Sequence, residues 1–334
     1  MLSRVAERIY WSARYLERVE NTARLVGVYD NLLFDLPRDT NISWFNLIKI
    51  NSCTDTFSER YKVQDEHNVV KFLLADDTNP SSMLSSLKQA KENIRTTRDV
   101  LPQDTWELIN ELDLYARNNI RQGINRTDRH KFLNNIIQRC QEINGLFEGA
   151  MSRDASWQFM TLGRNLERAD MTTRILDAGV SIMLQPNQGT RINLSQVVWG
   201  NVLRSLSGYM NYRRSVRTAI ESKKVARFLL EDEFFPRTLS YCINEMETAA
   251  KKLPRSKLVL QAVKALKAHH YSLANGHPLD EKFRDYLNEL QISISDLHGV
   301  LMTNWFAFNM GDPQEEAPTL KNNMEKEYQF ACQA

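Results

Sequence analysis

Two related segments decide the fold: residues 14–25 read RYLERVENTARL, and residues 164–175 read RNLERADMTTRI. They lie 150 positions apart and align without a gap, and Arg, Leu, Glu, Arg, Thr and Arg occupy identical places. The acidic Glu20 of the first segment is matched by Asp170 in the second. A gapless match of this length predicts that one structural unit occurs twice in the chain.

Further matches follow in the same order along the chain. FLLAD precedes Pro80, and FLLED precedes Pro236, which lies 156 positions later. Shorter correspondences join Trp44 to Trp199, Asn46 to Asn201, and Gly149 to Gly299. The shared order predicts a tandem duplication, with residues 1–151 as the first unit, residues 152–310 as the second, and residues 311–334 as a polar tail.

The pattern within each unit is helical. Leu16, Val19, Ala23 and Val26 form an apolar stripe at helical spacing. Gly and Pro number only 12 and 9 in 334 residues, and no stretch alternates in the manner of a strand. Helices are predicted at residues 2–34, 43–60, 82–100, from 104, 129–150, 154–185, 192–222, 237–252, 256–274 and 279–308. The predicted fold class is all-α: a tandemly duplicated helical bundle whose two pseudo-symmetric repeats pack through the helices that carry the Glu-Arg pairs.

The amino-acid composition indicates which class of protein this is. Hydrophobic residues make up 42% and charged residues 25%, which is typical of a globular chain. A net charge of +2 gives no indication of a nucleic-acid partner. The start of the chain is charged every few residues, and no apolar run approaches the roughly 20 residues that span a bilayer, so we expect a soluble protein with no membrane partner. The four cysteines are far apart, which favours reduced thiols and a cytoplasmic location.

The motifs of several enzyme classes are missing from the sequence. It has no Gly-rich phosphate loop, no Glu-x-x-His pair of a di-iron bundle, and no zinc-protease or hydrolase nucleophile motif. His269 and His270 are adjacent, and neighbouring positions on a helix point about 100° apart, so they do not predict a metal site. We therefore expect no metal and no cofactor, and the catalytic residues, if any exist, stay unknown.

The repeated segment supplies the candidate site, because its charged groups share one helix face opposite the apolar stripe. The candidates are Arg14, Glu17, Arg18, Asn21 and Arg24 in the first unit, and Arg164, Glu167, Arg168 and Arg174 in the second. Met171 replaces Asn21 in the second unit. Solvated surface positions have little physical reason to keep identical residues in two otherwise divergent copies, whereas buried ion pairs do.

Three interpretations of this cluster stay open. In the first, the two helices pack across a pseudo-twofold axis, and Glu17 and Glu167 neutralise arginines across the interface. In the second, the arginines line a cleft and bind a carboxylate, phosphate or acidic peptide by two parallel hydrogen bonds. In the third, the cluster is an ordinary polar surface.

The FLL-x-D-x-x-x-P segments predict a helix end, a short turn and a new helix with proline at its first position. Asp76 and Asp232 precede these prolines, and an Asx-type turn explains them best. Asp232 and Arg237, which follows Pro236, are kept as secondary candidates for binding.

The opening residues 1–24, MLSRVAERIYWSARYLERVENTAR, together with WQFMTLGRNLERAD at residues 157–170 and the segment 228–237, resemble the bacterial alpha-E family. That family is named for a helical domain with a Glu-Arg motif, typically duplicated, and the motif corresponds here to Glu17-Arg18 and Glu167-Arg168. The likeness covers about residues 1–310. The chain departs from the family pattern at one position: members of the family commonly have an arginine directly after the proline of the FLL-x-D-x-x-x-P segment.

That arginine is present as Arg237, but the first copy has Ser81. If it binds a ligand, the resemblance implies that only the second copy does so. Genes of the family sit beside circularly permuted ATP-grasp ligases, a transglutaminase-like protein and a peptidase of the N-terminal-nucleophile class. The resemblance thus implies a system that makes or modifies a peptide, and it carries no catalytic residues over to this chain.

The expected function is that of a non-catalytic or accessory partner of the circularly permuted ATP-grasp ligase, with the transglutaminase-like protein as a possible second partner. A purely structural scaffold is hard to separate from it. The alternative is an enzyme of the same pathway, a transferase or an enzyme that forms or cleaves amide bonds. In that alternative Arg14, Arg18, Arg164 and Arg168 bind a substrate carboxylate or phosphate, and Glu17 or Glu167 acts as acid or base. A carboxylate surrounded by guanidinium groups should stay ionised, which suits orientation better than proton transfer.

Overall fold

The computed structural model describes residues 1–35, 42–184, 191–273 and 279–307. Within these ranges the chain is all-helical and forms no β-strand. The described helices are α1 (Ser3–Asp35), α2 (Phe45–Ile50), α3 (Thr54–Arg60), α4 (Glu66–Leu74), α5 (Met83–Arg95), α6 (Thr105–Ile124), α7 (Arg126–Ala150), α8 (Ala155–Leu184), α9 (Arg191–Ser205), α10 (Tyr209–Val216), α11 (Ser222–Glu231), α12 (Leu239–Lys251), α13 (Lys257–Ala268) and α14 (Glu281–Leu301). A π-helical turn, Met302–Phe306, extends α14. The all-α prediction is confirmed.

Two of the predicted helices are broken. The helix expected at residues 43–60 is divided into α2 and α3 by a turn in which Ser52 has a φ of 54°. The helix expected at residues 192–222 is divided into α9 and α10 by a turn in which Ser207 has a φ of 57°. A residue in the left-handed region cannot continue a right-handed helix, and neither serine signals this conformation in the sequence pattern. Likewise α5 ends at Arg95 and α13 ends at Ala268, earlier than predicted.

The prolines of the two FLL segments do not open the following helices, contrary to the prediction. α5 begins three residues after Pro80, and the Ser82 side chain caps it by accepting a hydrogen bond from the Ser85 amide. α12 likewise begins three residues after Pro236 and is capped by Thr238. A hydroxyl group that accepts from the first-turn amides satisfies donors that proline cannot, so the cap residue sets the start of each helix.

The long helices α1 and α8 pack against each other at the centre of the fold. Their contacts advance in the same direction along both helices, from Tyr10 against Gly163 to Arg14 against Glu167. A Cβ atom at Gly163 would lie 2.2 Å from the Tyr10 carbonyl oxygen. The two backbones therefore approach this closely only because residue 163 has no side chain.

The polar face of α1 is buried rather than exposed to solvent. Leu16 and Val19 of the apolar stripe are buried, and so are Glu17 and Asn21 on the opposite side. This occurs because α1 packs on α5 and α7 with one side and on α8 with another, while α8 also packs on α12 and α14. The charged groups of the repeated segment consequently lie inside the fold.

The order of helices after α8 follows the order after α1. In each half a short helix that ends in FLL precedes a turn, a capped helix and two further helices, α4 to α7 in the first and α11 to α14 in the second. The duplication itself and its boundaries remain a prediction. The predicted tail, residues 311–334, and the end of the second unit, residues 308–310, lie outside the described residues.

No helix in the described ranges has both the length and the apolar character that crossing a membrane requires. Cys53, Cys140 and Cys242 are buried free thiols. Burial raises the pKa of Cys53 to about 11 and that of Cys242 to about 12, so both are protonated at neutral pH. The fourth cysteine, Cys332, lies outside the described residues.

Candidate functional site

Glu167 of α8 faces two arginines of α1. Arg14 Nε donates a hydrogen bond to Oε2 at 2.8 Å, and Arg18 Nε donates to Oε1 at 2.7 Å. Arg18 Nη2 also donates to Oε2, at 3.2 Å, so Arg18 binds the carboxylate by two bonds. Because the two arginines are four positions apart on one helix, both reach the same acceptor. The third donor of Arg18, Nη1, binds the Ser81 hydroxyl at 3.0 Å.

The charges of this cluster fix its protonation state. Burial alone would raise the pKa of Glu167, but Arg18 and Arg14 together lower it to about 2. Burial alone would lower the pKa of Arg14, but the Glu167 carboxylate raises it above its ordinary value. Glu167 is therefore a carboxylate and Arg14 a guanidinium at any physiological pH.

Glu17 of α1 is the centre of a second cluster. Arg168 Nε lies 3.0 Å from its Oε2 atom, and Arg237 Nη1 lies 2.6 Å from its Oε1 atom. Arg237 also pairs with Glu20, with Nη2 3.0 Å from Oε1, and donates to Asn21 Oδ1 at 2.6 Å. The Arg237 guanidinium, which comes from the turn before α12, thus joins three side chains of α1.

The two clusters exchange charges between the central helices. Arg18 of α1 pairs with Glu167 of α8, and Arg168 of α8 pairs with Glu17 of α1. Burial alone would raise the pKa of Glu17, but Arg168, Arg237 and Arg164 lower it. The structure therefore brings both Glu-Arg pairs together at one interhelical interface, as in the first of the three interpretations.

Arg164 lies on the Glu17 side of the interface. Its Nη1 atom is 3.1 Å from Glu148 Oε1 at the end of α7. Burial and the nearby charge of Arg168 lower the pKa of Arg164, which marks a region crowded with positive charge. Glu17 is the buried counter-charge that offsets this crowding.

Beside Glu167 a cleft of about 660 Å³ opens between α1, α8 and α14. Arg14, Arg18, Glu167 and Arg174 all border it. The other lining residues are Glu7, Trp11, Tyr15, Asn51, Ser52, Pro80, Ser81, Leu166, Asp170, Met171, Asn288, Gln291, Ile292, Ile294, Ser295, Asp296, His298, Gly299 and Met302. A smaller cavity of about 190 Å³ adjoins it and shares Ser52, Arg174 and Gln291. The second interpretation, a cleft lined by arginines, therefore describes the Glu167 side.

His298 of α14 forms part of the cleft wall. Its Nδ1 atom lies 2.8 Å from the Tyr10 hydroxyl, and its ring stacks on the Tyr10 ring. Burial, reinforced by the charge of Arg14, lowers the pKa of His298 to about 2. The imidazole is therefore neutral, and it can offer a hydrogen bond to a ligand without adding charge.

Position 81 and its predicted counterpart 237 make the two clusters different. On the Glu167 side the short Ser81 side chain leaves the cleft open. On the Glu17 side the long Arg237 side chain is buried, and its guanidinium group binds Glu17, Glu20 and Asn21. Arg237 stays a secondary candidate for binding, and the partners of its guanidinium group in the structure lie within the fold.

The remaining candidates have local partners. Arg24 pairs with Glu20 at 2.7 Å on its own helix. Arg174 pairs with Asp170 at 2.8 Å and donates to the Ser52 hydroxyl at 2.5 Å, on the border of the cleft. Asp232 accepts hydrogen bonds from the amides of residues 234 and 235, so it is the turn residue that the Asx interpretation describes and lies away from both clusters.

The sequence of the chain matches one described protein family. The family model Alpha-E, described as a predicted alpha-helical domain with a conserved ER motif, matches residues 1–306. The chain belongs to the Alpha-E family.

Curated relatives of the Alpha-E chain come from mycobacteria. An uncharacterized protein of Mycobacterium bovis and uncharacterized proteins of two Mycobacterium tuberculosis strains are each 24% identical over 326 residues, a match that covers 89% of this chain. The match covers 35% of each relative, so the chain spans about a third of their length. No solved structure matches the chain.

Several residues that line the Alpha-E cleft are not among the candidates predicted from the sequence. Ser52 and Ser81 lie in turns, and His298 lies on a helix with no motif around it. In the sequence, Asp170 is distinguished only as the counterpart of Glu20. A signal for His298 did exist: it lies 150 positions after Glu148, the partner of Arg164, at the spacing of the repeated segment.

The Glu167 end of the Alpha-E cleft carries hydrogen-bond donors beside the carboxylates of Glu167 and Asp170. Three arginines and two serine hydroxyls border its Glu167 end. Over the described ranges no group of three His, Cys, Asp or Glu side chains is arranged to hold a metal ion. Guanidinium and hydroxyl groups donate hydrogen bonds to carboxylate or phosphate oxygens.

Proposed function

We propose that this Alpha-E chain is an accessory binding protein of a peptide synthesis or modification system, and that its partner is a circularly permuted ATP-grasp ligase. The observation that carries the proposal is the state of Glu17 and Glu167. Both carboxylates are buried and neutralised by arginines from the facing helix, and an open cleft adjoins one of them. Such an arrangement holds helices together and orients donors toward a ligand.

The protonation state of the cluster favours binding over proton transfer. A general acid or base works best when its pKa lies near the working pH. Arg18 and Arg14 lower the pKa of Glu167 to about 2, and burial lowers the pKa of His298 to about 2 as well. Neither group exchanges its proton readily at neutral pH, so the Glu167 side is suited to holding a ligand in place.

The accessory role also agrees with the size of the relatives. In the mycobacterial proteins the matched region is about a third of a longer polypeptide. A region that forms one part of a longer chain is typical of a unit that works beside other domains. We infer that the ATP-grasp protein is the main partner here, with the transglutaminase-like protein as a second.

The family description mentions one ER motif, and we propose that it occurs twice here, as Glu17-Arg18 and Glu167-Arg168, through duplication of units 1–151 and 152–310. The reciprocal ion pairs between α1 and α8 support this proposal. So does the common order of helices after α1 and α8.

An enzyme of the same pathway is the alternative function. The feature that favours it is the cleft beside Arg14 and Arg18, which could hold the carboxylate or phosphate of a substrate. It would use only the Glu167 side, because Arg164 and Arg168 do not border the cleft. In that case the purified chain alone should convert a substrate.

The test is copurification of the full chain with a circularly permuted ATP-grasp ligase from the same organism, followed by a ligase assay with and without the chain. We expect a stable complex and a ligase rate that rises when the chain is added, while the chain alone has no turnover. Absence of a complex together with an unchanged ligase rate would overturn the proposal. Turnover by the chain alone would favour the enzyme.

A further inference from the structure

We infer that the cleft between α1, α8 and α14 binds a short peptide in extended form and holds a carboxylate of that peptide at its Arg18–Arg174 end. This inference rests on the proposed function and names the ligand of its site. The shared chemistry is a carboxylate next to apolar peptide surface, whether the carboxylate is the C-terminus or an acidic side chain.

At the Arg18–Arg174 end, each arginine also donates a hydrogen bond to a neutral hydroxyl group. Arg18 Nη1 binds the Ser81 hydroxyl at 3.0 Å, and Arg174 Nη1 binds the Ser52 hydroxyl at 2.5 Å. A hydrogen bond between a guanidinium and a carboxylate is about twice as strong as one to a neutral acceptor. A ligand carboxylate that displaces the hydroxyls therefore gains two charge-assisted bonds.

Arg14 supplies a further unsatisfied donor on the cleft border. Its side chain is more than nine-tenths buried, and its Nη1 atom finds no hydrogen-bond partner among the described residues. A buried polar group without a partner destabilises the folded protein. A ligand oxygen or an ordered water beside Arg14 would remove that cost.

Charge is divided along the cleft, which gives the peptide a direction. Arg18 and Arg174 lie at one end, where each arginine also pairs with a carboxylate of the fold. Glu7 lines the cleft about three helical turns away from Arg18 along α1, and its carboxylate repels an anion. The carboxylate of the ligand is therefore held at the arginine end, and amide or ammonium groups suit the other end.

The wall between the two ends is apolar and aromatic. Trp11 and Tyr15 stack on each other with ring centroids 5.3 Å apart, and both line the cleft. Ile292 faces them from α14 and is 54% exposed. An apolar side chain of the peptide would cover this exposed surface.

The length of the cleft favours a peptide over a free amino acid as the ligand. Along α1 it extends from Glu7 to Arg18, which is roughly 16 Å at the rise of an α-helix. That distance fits about five extended residues. A single amino acid would leave most of the aromatic wall uncovered.

The experiment uses the full chain and four libraries of peptides of about five residues, with no acidic residue at the random positions. The libraries end in glutamate or glutamine, each with a free or an amidated C-terminus. Affinity selection identifies bound peptides, and calorimetry gives their Kd. We expect enrichment in the library with both carboxylates and in at least one of the two libraries with a single carboxylate, and comparison of those two identifies the source. No enrichment in any library, or equal enrichment in the amidated glutamine library, overturns the inference.

Ser81→Arg closes the cleft in the way that Arg237 fills the Glu17 side, and we expect it to abolish enrichment. The matched control is Ser58→Arg, which adds the same charge at an exposed position on α3, away from the cleft. If Ser81→Arg does not fold, Ile292→Glu replaces it, since that residue is exposed and its new charge should weaken binding by about tenfold. Enrichment by a folded Ser81→Arg or Ile292→Glu protein equal to that of the parent overturns the inference.

Binding of the ATP-grasp protein is measured on the same preparations. A complex without peptide enrichment overturns the peptide site and leaves the accessory role intact. Peptide enrichment without a complex overturns the accessory role and leaves the peptide site intact.

Discussion

The Glu167 and Glu17 clusters use the same residue types at the same helical interface, yet one borders an open cleft and the other is closed. On the closed side Arg237 joins Glu17, Glu20 and Asn21. On the open side the matching position is Ser81, whose hydroxyl only accepts a bond from Arg18. A single side chain in a turn outside the repeated segment thus separates a closed cluster from one that borders an open cleft.

The same arrangement of charges therefore has a different environment on each side of the interface. Where a third arginine is present, both oxygens of the buried Glu17 carboxylate lie within ion-pair distance of an arginine of the protein. Where that arginine is replaced by serine, the guanidinium groups keep room beside them for an outside ligand.

Removal of a charge on the closed side should have the largest effect. We expect Glu17→Gln to lower the free energy of unfolding by about 4 kcal/mol, since it leaves Arg168 and Arg237 buried beside Arg164 with less counter-charge. Glu167→Gln should cost about half as much, because water in the cleft can solvate Arg18. Urea denaturation of both variants measures the difference. Equal losses would contradict the contrast, and melts identical to the parent for both would show that neither pair stabilises the fold.

Replacement of Arg237, which fills the closed side, should have the second-largest effect on the free energy of unfolding. Arg237→Ser gives this side the residue of the open side, and we expect it to cost about 3 kcal/mol because Glu17 and Glu20 lose a shared partner. It should also create a second cleft, which a crystal structure of the variant would reveal. Retention of full stability would mean that Arg237 does not hold the closed cluster together.

Acidification tests the neutral His298 on the open side. Its pKa falls from 6.5 to about 2 on folding, so between these values the unfolded chain binds a proton that the folded chain does not. Stability should therefore decrease as the pH falls below 6.5, by up to about 1.4 kcal/mol per pH unit for one proton. Glu167, with a folded pKa of about 2 against 4.5, adds a similar loss only below pH 4.5. In His298→Asn the loss between pH 6.5 and 4.5 should shrink, and an unchanged pH profile would exclude this origin.

Conservative changes of the motif arginines should have the smallest effect on stability. Arg18→Lys and Arg168→Lys keep the charge and lose the planar fork, at about 1 kcal/mol each. Their effect on peptide binding should differ, because Arg18 borders the cleft and Arg168 does not. Calorimetry with a selected peptide is expected to show weaker binding for Arg18→Lys alone. Equal weakening by both would place the ligand between the clusters.

The central helices and their exchanged charges could be predicted from the sequence, because they depend on local periodicity and on a register that the repeated segment displays. The breaks at Ser52 and Ser207 could not, since a left-handed φ at serine leaves no mark on the pattern of apolar residues. The cleft could not be predicted either. It depends on how the turn with Ser81 and the distant α14 pack against α1, and on the length of one side chain.

The exchange of charges between α1 and α8 has a consequence for how the molecule unfolds. The carboxylate on each central helix is neutralised by arginines of the other, so neither half keeps its own counter-ions when the two separate. Opening of one half would strand buried charge in the other, at a cost of several kcal/mol. Partly unfolded states are thereby suppressed, and the described chain should melt in one cooperative transition rather than half by half.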